Sequence, residues 1–139
     1  MTAALVLPTV LRAQLAAEAR AAFPAECCGL IEGLVEADAV AAVALHPTKN
    51  LATARNRFEI DPTEHVRLLR ALRGTGHDIV GCYHSHPNGR AEPSPRDLEA
   101  AADENFAWLI AALGAEADIP RLAAFVFRNG AFRPLVLRA

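Results

Sequence analysis

Lysine is all but missing from this chain. Lys49 is the only one, so nearly all positive charge is arginine. The formal net charge is −2 over 139 residues, with no basic stripe, which excludes the electrostatic footprint of a nucleic-acid or anionic-membrane binder. No apolar run reaches the ~20 residues that span a bilayer, and the N-terminus lacks the pattern of a secretory signal peptide. The chain is therefore expected to be cytoplasmic. There are only three cysteines, with Cys27 and Cys28 adjacent. An odd number so spaced makes no disulfide framework and suits a reduced compartment. Repeats, low-complexity tracts and linkers are also missing. A chain of this length with 53% hydrophobic residues is expected to be one domain, 1–139, with a sizeable core.

Apolar periodicity outlines the elements. Ala4 to Leu7 reads as a short edge strand. Pro8 to Ala22 carries apolar residues at helical spacing (Val10, Leu11, Leu15, Ala19) until Phe23-Pro24 stops it. Cys27 to Ile31 predicts a strand, and a second lies within Val35 to Leu45. His46 to Arg57 is polar and aperiodic, hence a loop, followed by a short strand at Phe58 to Ile60. Asp61 as N-cap with Pro62 and Glu64 starts a helix that runs to about Arg73, before Gly74-Thr-Gly76. Trp108 to Leu113 and Leu122 to Phe127 are apolar strands. Arg128-Asn-Gly then turns the chain into Phe132 to Leu137, a hairpin. More strands occur than a βαβ alternation needs, so the fold class is α+β, with a central, largely antiparallel sheet flanked by helices.

The one stretch rich in reactive groups is Gly81-Cys-Tyr-His-Ser-His-Pro-Asn-Gly-Arg-Ala-Glu-Pro-Ser-Pro-Arg-Asp97. Ile79 to Tyr83 reads as a buried strand. His84 and His86 continue it and, two apart, point to one face. After a loop, Ser94 (N-cap) and Pro95 open a helix that extends through Asp97 to Phe106, with Asp97 in its first turn. Two imidazoles on a strand end and a carboxylate on a helix start make a workable three-ligand cup for zinc. Each fragment also has a plain reading. With five histidines in the chain, a His-x-His arises readily by composition, and Ser94-x-x-Asp97 is a common capping box. Glu26 alone would be a solvated loop carboxylate.

The joint register is more specific. Glu26, then His84-Ser85-His86, seven residues, Ser94, two residues and Asp97 resembles, without a gap, the JAMM motif of the JAB/MPN+ metallopeptidases. Pro87 and the Glu26-Cys-Cys-Gly-Leu context are similar to the small bacterial members. The Arg57-Phe-Glu-Ile-Asp-Pro62 run also recurs in them and is expected to border the substrate channel. The resemblance implies a JAB/MPN domain, related in architecture to cytidine deaminases. The deaminase signature itself, His-x-Glu with a later Pro-Cys-x-x-Cys, is absent.

The same resemblance implies zinc held by His84, His86 and Asp97, leaving the fourth tetrahedral position to a water. That water would attack with Glu26 as general base and then general acid, and Ser94 would hydrogen-bond the oxyanion. Its substrates would be peptide or isopeptide bonds after the C-terminal Gly-Gly of a ubiquitin-like or sulfur-carrier protein. The chain shows no long insertions, so the sulfur-carrier role is favoured, with an extended tail laid along a sheet edge. Ser85 is expected to face away from the metal and hold its strand. Cys82 shares the histidines' side of the strand, leaving a core thiol and an approach to the metal both open. Cys27 and Cys28 lack Cys-x-x-Cys spacing and a partnered histidine, so neither is read as a nucleophile. His46, His65 and His77 have no ligand-like spacing to the cup and are read as surface or packing residues. Two other classes stand beside the enzyme: a metal-free or inactive MPN-type interaction scaffold, and a metal-dependent nuclease. The complete motif argues against the first and the balanced charge against the second.

Overall fold

The structure, a computed structural model, describes residues 2–139. In chain order the elements are β1 (Ala4–Val6), α1 (Thr9–Ala22), β2 (Cys28–Val35), β3 (Ala39–Thr48), α2 (Pro62–Ala71), β4 (Asp78–His86), α3 (Pro95–Ala100), β5 (Ala107–Ala112), β6 (Arg121–Arg128) and β7 (Ala131–Arg138). The sheet closes on itself in the order β1-β3-β2-β4-β5-β6-β7. Pairings β2–β3, β2–β4, β5–β6 and β6–β7 are antiparallel, and β1–β3, β1–β7 and β4–β5 are parallel. The class is α+β, as the sequence suggests, and the antiparallel pairings are in the majority. The sheet is closed, a feature on which the sequence reading was silent.

Two cores form on opposite faces of the strands. Leu11, Leu15 and Ala19 of α1 share the larger one with Leu5, Ile31, Val40, Tyr83 and Leu109. The smaller one joins Leu30, Ile79, Cys82, Trp108 and Phe127, with Leu68 and Leu72 packed on it from α2 and the residue after it. Strand β4 passes between them. Against β2, Ile79 pairs Glu32 and Gly81 pairs Ile31, so Val80 is an extra, bulged residue. From Gly81 onward the alternation is regular: Tyr83 faces the larger core, while Cys82 and His84 share the opposite face with Trp108. Gly81 leaves room for β5, because a Cβ there would collide with the Ala107 backbone. The bulge thus sets which face receives the histidines.

Several sequence expectations need correcting. β1 is not an edge strand. It bonds to β3 at Ala39–Ala41 and to β7 at Val136–Arg138, closing the barrel, a long-range parallel pairing that local periodicity does not encode. β3 runs on through His46–Thr48, residues read as loop. Pro47 fits there because, among the described residues, no strand other than β2 pairs with this end of β3. Of Phe58 to Ile60 only Ile60 pairs, in an isolated bridge to Asn50. α2 ends at Ala71 rather than Arg73. α3 ends at Ala100 rather than Phe106: Ala101 turns extended, and Asn105, at φ 64°, donates its N–H to the Phe127 carbonyl and leads the chain into β5. The Asn129-Gly130 turn has both residues at positive φ, the hairpin geometry its sequence announces.

Candidate metal centre

Strand pairing carries the upstream glutamate to the histidines. Cys28 lies opposite His84 in the β2–β4 ladder. One step outward, the Cys27 N–H donates to Ser85 Oγ (2.8 Å) and the Ser85 N–H to the Cys27 carbonyl (3.1 Å). Ser85 therefore faces the strand, as expected, and locks Glu26 beside the end of β4. On the other side, Ser94 and Asp97 close a reciprocal capping box. Ser94 Oγ accepts the Asp97 N–H (3.1 Å) and Asp97 Oδ2 accepts the Ser94 N–H (2.8 Å). This box aims the Asp97 carboxylate back at the strand, so the capping and site readings of Asp97 hold at once. Glu26, His84, His86 and Asp97 are all buried.

The donor atoms converge. His84 Nε2 and His86 Nε2 are 2.9 Å apart. His84 Nε2 lies 3.2 Å from both Asp97 oxygens, and His86 Nε2 3.1 Å from Oδ2. His86 Nδ1 sits 2.9 Å from the Arg90 carbonyl. A carbonyl only accepts, so Nδ1 carries the hydrogen and the neutral ring presents a lone pair at Nε2. A lone pair 3.1 Å from a carboxylate oxygen is repulsive unless a proton or a cation lies between them. Two imidazole nitrogens and a carboxylate aimed at one point fit zinc or a similar borderline divalent ion. Glu26, His84 and His86 likewise bring ligand atoms within 4.8 Å of one another.

The two carboxylates differ in ionisation. Burial opposes ionisation of Asp97, but the two imidazoles beside it and the Ser94 N–H outweigh it and hold the carboxyl well below its usual range. Glu26 goes the other way. Burial raises it to about 7, against the pull of His86, and its Oε1 has no hydrogen-bond partner in the protein. Asp97 thus suits a permanently charged ligand and Glu26 a group that exchanges a proton near neutral pH. Burial lowers His84 despite Asp97; His86, by contrast, is raised, because Asp97 and the Arg90 carbonyl outweigh its burial. Cys82 packs in the smaller core, and burial pushes the Cys27 thiol up to about 12, leaving it a poor nucleophile.

Residues 8–126 match the family described as prokaryotic homologues of the JAB domain. The chain belongs to the prokaryotic JAB family. Over 88 residues (63% of this chain, 62% of the relative) this JAB chain is 42% identical to a desampylase of Haloferax volcanii. Over 79 residues it is 37% identical to a probable TtuB-protein conjugate cleaving protease of Thermus thermophilus, covering 56% of this chain and 50% of that one. The chain thus matches less than two thirds of either relative's length. A solution structure from Desulfitobacterium hafniense superposes with a TM-score of 0.82 at 28% identity, covering 96% of this chain and 92% of that one.

Sequence reasoning missed two neighbours of the JAB site. Phe58 stacks on His84, and the Asn50 side chain donates to the Glu26 carbonyl (3.0 Å). Arg57, Phe58, Arg96 and Asp97 line a cavity of about 250 Å³ beside the site. Nothing in the polar segment around Asn50 marks that residue. His46 and His77, expected to be surface or packing residues, both bond to Glu32.

Proposed function

We propose that this chain is a zinc-dependent hydrolase of a peptide or isopeptide bond after the C-terminal Gly-Gly of a ubiquitin-like or sulfur-carrier protein. The observation that carries the reading is the pairing of a convergent His84–His86–Asp97 cup with an unpartnered Glu26 carboxyl near neutral pKa. His84 Nε2, His86 Nε2 and Asp97 would hold the metal. Bound zinc would supply a water acidified to near-neutral pKa and a Lewis acid for the scissile carbonyl. Glu26 Oε1, buried beside the cup, would accept a proton as general base and return it to the departing amine as general acid. Ser94 Oγ already accepts the Asp97 N–H, so its own hydrogen is free to donate to the developing oxyanion.

The relatives' names, a desampylase and a conjugate cleaving protease, support a substrate of the protein-conjugate class. An extended tail would add along a free strand edge. β1 covers β3 only at Ala39–Ala41, so β2 is the one strand paired with Val43 to Thr48 among the described residues; the Gln14 side chain donates to the Leu45 carbonyl (3.1 Å), and Thr48 pairs with Cys28 beside the site. A cytoplasmic setting suits the three free cysteines. The architectural kinship with cytidine deaminases that the motif implies belongs to the same proposal. The test is mass spectrometry of a sulfur-carrier protein bearing a C-terminal cysteine adduct, incubated with wild type, Glu26→Gln and chelated protein. Loss of the adduct with wild type alone supports the reading. Cleavage that survives both Glu26→Gln and metal removal refutes the mechanism. An intact adduct beside cleaved isopeptide conjugates would reassign the substrate.

A further inference from the structure

The two imidazoles of the cup are held by different devices. His86 is fixed through Nδ1 by the Arg90 carbonyl. His84 Nδ1 is buried and has no hydrogen-bond partner in the protein. A ligating histidine normally donates its far N–H to an oxygen, which fixes tautomer and ring plane together. At His84 a hydrocarbon ring takes that place. Phe58 lies on the imidazole with centroids 4.2 Å apart and planes inclined by 23°. Trp108 meets His84 edge-on at 5.8 Å and 88°, and Phe58 at 5.9 Å and 71°. The imidazole is confined by one face and one edge.

Phe58 packs on the smaller core but lies in no helix or strand; one amide fixes the backbone of its segment. Asn50 Nδ2 donates to the Arg57 carbonyl (3.1 Å) and to the Glu26 carbonyl (3.0 Å). Its Oδ1 accepts the N–H groups of Ala52 and Glu59, each at 2.9 Å. All four hydrogen-bonding positions of the side chain are used. A Leu51 N–H to Glu59 carbonyl bond (2.9 Å) and the Asn50–Ile60 bridge close the segment. One side chain therefore ties the backbone of Glu26 to the loop that delivers Phe58.

We propose that Phe58 is a positioning residue of this site. Its ring, carried by the Asn50-clamped loop, sets the plane of the His84 imidazole so that Nε2 faces the metal. It replaces the hydrogen bond that His84 lacks and acts only through His84. The proposal rests on the zinc reading above, and it differs from two simpler roles for Phe58, a core filler and a wall of the neighbouring cavity.

Zinc affinity distinguishes the three roles. Competition against a chromogenic chelator would be measured for the full chain as wild type, Phe58→Leu and Phe58→Tyr, alongside thermal unfolding of the chelated proteins and the visible spectrum of their cobalt forms. Phe58→Leu is expected to weaken zinc about 10- to 100-fold, the range for losing a group that orients a ligand, and to shift the cobalt bands. Phe58→Tyr keeps the ring, with its hydroxyl free to point into the cavity, and is expected to restore both. Wild-type zinc affinity in Phe58→Leu would overturn the proposal, even if cleavage fell through KM, because that pattern marks a cavity wall. Equal weakening in Leu and Tyr, in step with a lowered melting temperature of the chelated proteins, would overturn it in favour of a core filler. Absence of zinc uptake by wild type would overturn the metal reading itself and this proposal with it.

Discussion

His84, His86 and Asp97 at the end of β4, and His46, His77 and Glu32 further back on the same sheet, are built from the same residue types. In the first group both imidazoles aim Nε2 at one carboxylate and at each other, in a buried pocket. In the second, Glu32 spends one oxygen on each ring: Oε1 lies 2.8 Å from His46 Nε2 and Oε2 2.6 Å from His77 Nδ1. The side chains of His46 and His77 are 39% and 31% exposed. Each ring there donates to its own oxygen, so the donors diverge and the hydrogen bonds are complete without a cation. Among the described residues only the first neighbourhood, with Glu26, brings three ligand atoms within 4.8 Å. Composition does not make a metal site; convergence of unspent lone pairs does. The second cluster is a staple that ties β3, β2 and the start of β4.

Removing a ligand should break the first cluster outright. Asp97→Ala is expected to lose stoichiometric zinc, read by inductively coupled plasma mass spectrometry, and with it all cleavage. His46→Ala and His77→Ala should both retain one zinc per chain. Glu26→Gln comes next: kcat is expected to fall by about 10²- to 10⁴-fold, the usual contribution of a positioned proton-transfer group, at unchanged zinc content.

The same Glu26 should have a measurable stability effect in chelated protein. Its carboxyl is raised from 4.5 to about 7 in the fold. The stabilisation linked to its protonated form is present in full below 4.5 and lost as pH rises through 7. Glu26→Gln should therefore match wild type at pH 4 and exceed it at pH 8 by at most about 3 kcal/mol in urea unfolding, at 1.36 kcal/mol per pKa unit. A gain of that sign would mark a residue kept for chemistry at the expense of stability.

The smallest effect belongs to the staple. Hydrogen bonds from His46 and His77 lower the Glu32 carboxyl below 4.5. Its contribution is present above 4.5 and fades as pH falls through the depressed value. Glu32→Gln is expected to destabilise by about 1 kcal/mol at pH 7, with the gap closing below pH 4 and zinc content unchanged.

What the sequence made legible was local. The His84-x-His86 spacing on a strand, the Ser94–Asp97 capping box and the Asn129-Gly130 hairpin each follow from one element's geometry and appear in the structure as read. What was hidden depends on register between distant segments. Glu26 reaches the histidines only because Cys28 pairs with His84 across β2–β4, and motif resemblance alone pointed there. The barrel closure, with Ala4 opposite Val136, has no local signal. Nor has Asn50, whose role lies in four hydrogen bonds to the backbone of Glu26, Ala52, Arg57 and Glu59. The end of α3 was misplaced because Ala101 to Asn105 keeps helix-compatible residues while the Asn105–Phe127 contact ends the helix from outside.

The most direct measurement is an anomalous-difference map at the zinc absorption edge from crystals grown with zinc. The account expects one strong peak, bonded by His84 Nε2, His86 Nε2 and Asp97, with Glu26 beside it and not ligating. A peak in which Glu26 replaces Asp97 as ligand, or one that sits at Glu32 with the cup empty, would contradict it.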